Sequence, residues 1–361
     1  MHLCILCGGR SAEHEISLES AYNVVAAVDR KRFDLTIVGI SRDGSWNLYD
    51  PDAFVACPGD AANIRLDNPE CPVLPVRAGQ GRARLISLDS AQTVATVDAV
   101  FPLLHGTNGE DGTVQGLLTI VDVPFVGCDV TSSANCMDKT LTKRLLRDAG
   151  IPVCRSLVLQ QPALTPEAAA FVDTVGFPVF VKPARMGSSV GITRVTAPHE
   201  LDSAVAEAFR YDRKILLEEE VKGREIECAV LGNDKPQASV PGEIIPQRDY
   251  YSYESKYLDA DGARLEAPAA LAPTVEKAVK NLALQSFNAL NCEGMARVDM
   301  FLMPDKSLVV NEVNTIPGFT GISMYPRLWQ LSGIPYPTLI EKLVALAVER
   351  YQRDNTLTFQ P

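Results

Sequence analysis

The chain predicts an α/β architecture that passes into α+β, and three observations predict it. Strand-like apolar runs alternate with helical ones near the N-terminus, which implies a doubly wound parallel sheet with ligands at the carboxyl ends of its strands. At 361 residues the chain is long for one core, so two or three domains are expected. Further on, the alternation gives way to strands around a glycine-rich loop and then to a charged hairpin, an α+β pattern.

Residues 3–6 read as a strand, Gly8-Gly9 as a turn, 17–29 as a helix, 35–40 as a second strand and 99–104 as a later one. Between them, at about 52 to 93, an insertion of short strands is punctuated by Pro58, Pro69, Pro72, Pro75, Gly79 and Gly81. Residues 138–150 form a helix with Asp138 at its start, basic residues toward its end and Gly150 as its cap, and Ile151-Pro152 stops it. Strands at 179–182 and 215–218 flank the glycine-rich loop. The last part holds a long loop at about 246 to 264, expected to be mobile, then a helix at about 274–290, the hairpin and a terminal helix at 336–351. These elements divide the chain into 1–135, 136–220 and 221–361.

Bulk properties exclude several classes. The net charge of -11 argues against a general nucleic-acid or membrane-surface role, because those partners are recruited by basic surfaces. Nine scattered cysteines fit reduced thiols in a cytosolic compartment. Cys4 and Cys7 form a C-x-x-C, but they flank a buried strand and lack a second ligand pair, which favours core packing over zinc or redox chemistry. The N-terminal apolar run is too short for a secretory signal, and no segment approaches a membrane span. A cytoplasmic protein is expected, with no nucleic-acid or membrane partner.

The chemistry concentrates in the hairpin. Residues 296–301 and 309–314 are strand-like, and Pro304 to Ser307 suits a four-residue loop. If Met303 faces Leu308, Asp299 lies opposite Glu312 and Arg297 opposite Asn314, with all four side chains on one face. Opposed carboxylates repel unless a cation separates them, and a hard divalent ion that shares phosphate oxygens suits that place. A hydrated surface hairpin is the alternative. The loop from Lys182 to Gly191, with Ser188 and Ser189 between glycines, offers backbone N–H groups and a lysine to phosphates. It lacks the Walker A order, and a plain turn is equally compatible. Lys139, in the first turn of its helix, opposes the helix dipole, so a bound anion would explain it; a solvated lysine is the rival. Glu218, Glu219 and Glu220 end a strand before Val221, and Glu225 follows. Such acids either edge the surface or accept hydrogen bonds from ribose hydroxyls.

In this order the residues resemble the ATP-grasp enzymes and, within them, the D-alanine:D-alanine ligases. The resemblance spans most of the chain and includes Gly8 to Ser17, Leu104-His105-Gly106 with Gly109-Glu110-Asp111-Gly112, Tyr253 to Tyr257, and Asn314 to Gly318. The shortest members lack the segment at about 52 to 93, and larger ones carry a comparable piece. The resemblance implies a three-domain ATP-grasp fold, in which two α+β subdomains clamp ATP beside the N-terminal domain. It implies that two D-alanines are joined through an acyl phosphate for peptidoglycan precursor synthesis. Lys139, Lys182, Ser188, Ser189, Glu218, Val221, Glu225 and Lys256 would hold ATP, and Asp299, Glu312 and Asn314 would hold two Mg²⁺ or Mn²⁺. Arg297 and the Gly318 N–H would form the oxyanion hole. Glu13 would bind the first D-alanine's ammonium, with His105 nearby, in a hydrogen-bonded chain with Ser188 and Tyr257. Ser323 and the Met324 backbone would receive the second carboxylate, and Lys256 would also touch substrate. Glu13 as a helix-dipole partner and His105 as a satisfied core residue are the plain readings. A homodimer through the N-terminal domain is also implied. The competing functions are a ligase that uses D-lactate or D-serine, and a nucleotide-binding scaffold without chemistry.

Overall fold

In this computed structural model, residues 1–60, 62–246 and 263–358 are described. Three sheets follow one another along the chain. The first is parallel at its centre, where β1 (His2–Gly8) lies between β2 (Asp34–Ile40) and β9 (Ala99–Pro102). Four further strands extend it antiparallel, in the order β8-β7-β6-β3-β2-β1-β9: β3 (Trp46–Tyr49), β6 (Cys71–Arg77), β7 (Ala83–Ser87) and β8 (Thr93–Val97). Connection length is the reason. A turn closed by Ser41 N–H to the Ser45 carbonyl at 2.9 Å joins β2 to β3, and a tight turn joins only antiparallel strands. The insertion therefore lends strands to the main sheet, and only β4 (Val55–Ala56) and β5 (Arg65–Leu66) pair apart from it.

Helix α1 (His14–Ala27) starts three residues before Ser17, where the sequence pattern begins it, because the Ser17 hydroxyl is engaged elsewhere. It accepts from Gly8 N–H at 2.7 Å and donates to the Leu103 carbonyl. Alternation along β1 sends Leu3, Ile5 and Cys7 into a core under α1 and the C-terminal α9 (Tyr336–Asp354), and Cys4 and Leu6 into a core under α2 (Thr113–Ile120). Cys4 and Cys7 thus face opposite ways, and burial alone pushes Cys4 up to about 12. Neither forms part of a metal or redox pair.

The second sheet, ordered β10-β13-β11-β12, is antiparallel throughout: β10 (Ser156–Leu159), β11 (Val179–Pro183), β12 (Thr193–Val195) and β13 (Ile215–Glu219). Val179, Val181, Ile215 and Leu217 pack beneath α5 (Pro166–Val175) and α6 (Leu201–Ala208), so the period of two turns Phe180, Lys182 and Glu218 to the opposite face.

The third sheet runs β17-β16-β14-β18-β19, with β15 (Gln237–Ala238) also on β14. Its strands are β14 (Arg224–Gly232), β16 (Gly242–Pro246), β17 (Ala263–Glu266), β18 (Gly294–Leu302) and β19 (Leu308–Asn314). One face rests on α7 (Pro273–Ala289) together with α3 (Val130–Met137) and α4 (Lys139–Asp148), through Ile226, Cys228, Val298 and Val313. The other face changes character along its length. Ala229, Leu231 and Met295 are buried under α8 (Met324–Leu331), α9 and the first sheet, whereas Glu225, Glu227, Arg297 and Asp299 face an open cleft. Among the described residues no single helix is long and apolar enough to cross a membrane.

Candidate active site

The cleft encloses about 660 Å³ where the three sheets meet. Every site residue named from the sequence that falls among the described residues lines it: Glu13, His105, Lys139, Lys182, Ser188, Ser189, Glu218, Val221, Glu225, Arg297, Asp299, Glu312, Asn314, Gly318, Ser323 and Met324. Lys256 and Tyr257 lie outside the described residues.

The hairpin holds the expected pairs, Asp299 with Glu312 and Arg297 with Asn314, by a different route. Leu302, not Met303, faces Leu308, so the loop has five residues rather than four. A bulge at Asn311 then inserts one residue and restores the register. Asn311 and Glu312 consequently both turn toward the cleft. Arg297 grips Asp299 through two hydrogen bonds, both 2.7 Å, and lies 3.3 Å from Glu227. Asn314 Nδ2 donates to Asp299 at 2.9 Å. Burial would lower the guanidinium's pKa, but Asp299 and Glu227 hold it well above its ordinary value.

Opposite stands a wall of lysines. Asp138 caps α4 by accepting from Thr140 and Leu141 N–H at 3.0 and 3.3 Å, and it pairs with Lys214. Lys139 follows and donates to the Met186 carbonyl at 2.9 Å, with Glu312 at 3.2 Å. These partners answer the unfavourable dipole position. Lys182 meets Glu218 at 2.5 Å. Glu219 and Glu220 also border the cleft and pair with Arg155 and Arg194.

The serine loop closes on the first sheet. Ser188 and Ser189 adopt left-handed conformations, φ 48° and 60°, which non-glycine residues seldom take. In that geometry Ser188 donates to Glu13. A Cβ at Gly187 would lie 2.6 Å from Glu13 Oε2, so the glycine leaves the carboxylate room in this position. Glu110 stands nearby, accepting from Gly106 N–H at 2.8 Å and Ile316 N–H at 3.2 Å. Burial and the Glu13 charge push Glu110 well above the carboxylate range, so a cation between them would relieve both acids.

His105 borders the cleft but is 4% exposed. Its Nδ1 lies 3.0 Å from the Ile316 carbonyl and therefore donates; Nε2, 3.0 Å from Ser20 Oγ, accepts. Ser20 in turn accepts from Phe319 N–H at 3.2 Å. The ring orients the segment that carries Gly318. Ser323, at the N-terminus of α8, receives Thr320 N–H at 2.9 Å and lies 2.8 Å from Thr320 Oγ1. Ser323 and Met324 at that helix end line the cleft, and a helix N-terminus favours an anion.

Glu110, Glu227, Ser20, Thr320 and Lys143 are the residues that sequence reasoning missed. Glu227 carried a signal, the Glu-Ile-Glu alternation that places it beside Glu225 and opposite Asp299. Lys143 carried one too, at four residues from Lys139 on a helix. Glu110 lies within the Gly109 to Gly112 motif and Thr320 three residues from Ser323, whereas Ser20 depends on tertiary contacts with His105 and Phe319 that no local pattern encodes.

Comparison with known proteins gives the following likenesses. Residues 2–128 match the family described as D-ala D-ala ligase N-terminus, and residues 145–345 match D-ala D-ala ligase C-terminus. The D-alanine--D-alanine ligase A of Escherichia coli (strain K12) is 48% identical, covering 98% of this chain and 97% of its own length. The D-alanine--D-alanine ligase of Shouchella clausii is 46% identical, covering 98% and 96%. Among solved structures, the D-alanine-D-alanine ligase from Coxiella burnetii superposes with a TM-score of 0.84 at 38% identity, over 99% of this chain and 96% of that one. The VanG D-Ala:D-Ser ligase from Enterococcus faecalis gives 0.82 at 36% identity, over 96% and 99%.

Proposed function

The chain belongs to the D-alanine–D-alanine ligase family, and on that premise we propose that it joins two D-alanines at the expense of ATP, as peptidoglycan precursor synthesis requires. The first D-alanine's carboxylate attacks the γ-phosphate of ATP, giving an acyl phosphate and ADP. The amine of the second D-alanine attacks the acyl carbonyl, and the tetrahedral intermediate expels phosphate. The observation that carries this reading is the Ser188–Glu13 hydrogen bond, which ties the ammonium-binding acid to the phosphate loop. An amino acid held by Glu13 then presents its carboxylate to a nucleotide on Lys139 and Lys182.

Glu218, Val221, Glu225 and Ser189 bound the nucleotide, and Ser323 with the α8 N-terminus takes the second carboxylate. Arg297 and Gly318 flank the place where the oxyanion develops. Lys256 and Tyr257 belong to the same proposal by resemblance alone. Among the described residues no three His, Cys, Asp or Glu side chains form a metal cluster. Asp299, Glu312 and the Asn314 carbonyl nonetheless supply hard oxygen donors that fit two Mg²⁺ or Mn²⁺ when phosphates and water complete the shell. Bound ions would draw charge from the transferring phosphoryl group. Arg297 occupies both Asp299 oxygens and competes for that carboxylate.

The same proposal divides the chain into units 1–135, 136–220 and 221–361, places it in the cytoplasm where ATP is made, and pairs it as a homodimer. Light scattering tests the last point. ADP release with D-alanine alone, then with added D-lactate or D-serine, tests the reaction. Turnover only with a second substrate other than D-alanine would transfer the chain to the depsipeptide or D-serine branch. ATP binding without ADP release would make it a scaffold.

A further inference from the structure

Lys143 lies one turn beyond Lys139 on α4, on the same helix face. It does not reach the cleft. Its side chain is 2% exposed, and its ammonium stands 2.8 Å from Glu218 Oε2. The other oxygen of the same carboxylate accepts from Lys182 at 2.5 Å. Lys182, 12% exposed, does line the cleft. One carboxylate is therefore held between two ammoniums, one on the protein side and one on the ligand side.

We propose that Lys143 is a positioning residue for ATP: by neutralising Glu218 from the buried side, it leaves Lys182 free to engage the nucleotide's phosphates. The inference rests on the ATP-dependent reading given above. At 2.8 Å the Lys143 ammonium and the Glu218 carboxylate form a close ion pair that is buried on both sides. Two ammoniums and one carboxylate leave a formal charge of +1 facing the cleft. Removing Lys143 leaves none, and an incoming phosphate would have to pull Lys182 from an uncompensated carboxylate in a low-dielectric wall. Burial would raise Glu218, yet the two lysines hold it down at about 2, so its charge persists across the working pH range. A lysine that only fills and braces the wall would affect all ligands alike.

Calorimetric titration of the intact protein with ADP and with adenosine separates the two roles. In Lys143→Met the Kd for ADP should rise about tenfold while that for adenosine stays within about twofold, because only the phosphates sense Lys182. Equal losses for both ligands, or no loss for ADP, would overturn the inference. Should the methionine variant fail to fold, Lys143→Arg decides the matter, since it retains the charge. Its preference for ADP over adenosine should match the wild type, and loss of that preference overturns the inference. Wild-type protein that binds neither ligand would instead overturn the ATP-dependent reading itself.

Discussion

Arg297 is drawn in two directions. Its guanidinium is clasped to Asp299, the carboxylate that also fits a divalent cation, while its proposed work is at the oxyanion. Arg297→Ala should lower kcat by about 10²–10³, the usual loss for one oxyanion donor. It should also lower the Mg²⁺ concentration at half-maximal activity, because the competitor for Asp299 is gone. Full recovery of kcat with added Mg²⁺ would show that the arginine had only served the carboxylate. His105 makes a different point. Burial holds its pKa at about 4 against the usual 6.5. Between those values the folded state binds fewer protons than the unfolded one, so stability falls as pH drops through that window. The total is about 3 kcal/mol by linkage. Thermal denaturation from pH 7 to pH 4 should therefore show a shallower decline in Tm for His105→Gln than for the wild type.

At the scale of elements, the serine loop and the hairpin set the geometry. Gly187→Ala places a methyl against the Glu13 carboxylate, which is the end of a flexible side chain and yields at small cost. The expected result is a rise in KM for D-alanine with unfolding free energy changed by less than about 1 kcal/mol. A change in ATP affinity alone would argue that the loop serves only phosphate. The hairpin shows what a sequence can and cannot reveal. Alternation and turn residues were legible, and they put Asp299 opposite Glu312. The reading succeeded because two irregularities cancel: the loop is one residue longer than Pro304 to Ser307 suggests, and the Asn311 bulge adds one residue to the facing strand. Neither is visible in a hydrophobic pattern, since a bulge follows from packing on both faces of the sheet. The insertion's short strands were legible, but their place in the main sheet was not, because Pro72 and Pro75 read as breaks and yet both sit within β6. Lys143 was hidden because a lysine is taken to be exposed until its counter-ion, Glu218, is found seventy-five residues away.

Across the whole molecule, the cleft exists because the chain's end returns to its beginning. Helix α9 follows the third sheet in sequence, but its Leu339, Leu343 and Val344 share a core with Leu3 and Ile5 of β1. Arg350 secures the return. Its guanidinium donates to the Phe125 carbonyl at 2.9 Å and to the Gly127 carbonyl, and it stacks 4.6 Å from the Phe125 ring centre. Gly127 in turn approaches Gly294 at the start of β18, so the same residue links the first sheet to the strand that carries Arg297 and Asp299. Arg350→Ala would leave two buried carbonyls without donors and open a gap over Phe125. The expected loss is about 2–4 kcal/mol, from charge-assisted hydrogen bonds and packing together. Because the residue touches no part of the cleft, KM for ATP and for D-alanine should stay near the wild-type values below the unfolding transition. Urea unfolding alongside steady-state kinetics checks both halves. A variant as stable as the wild type would mean that the apolar core of α9 closes the molecule without the arginine, whereas altered KM values in a stable variant would mean that the closure sets the cleft's shape directly.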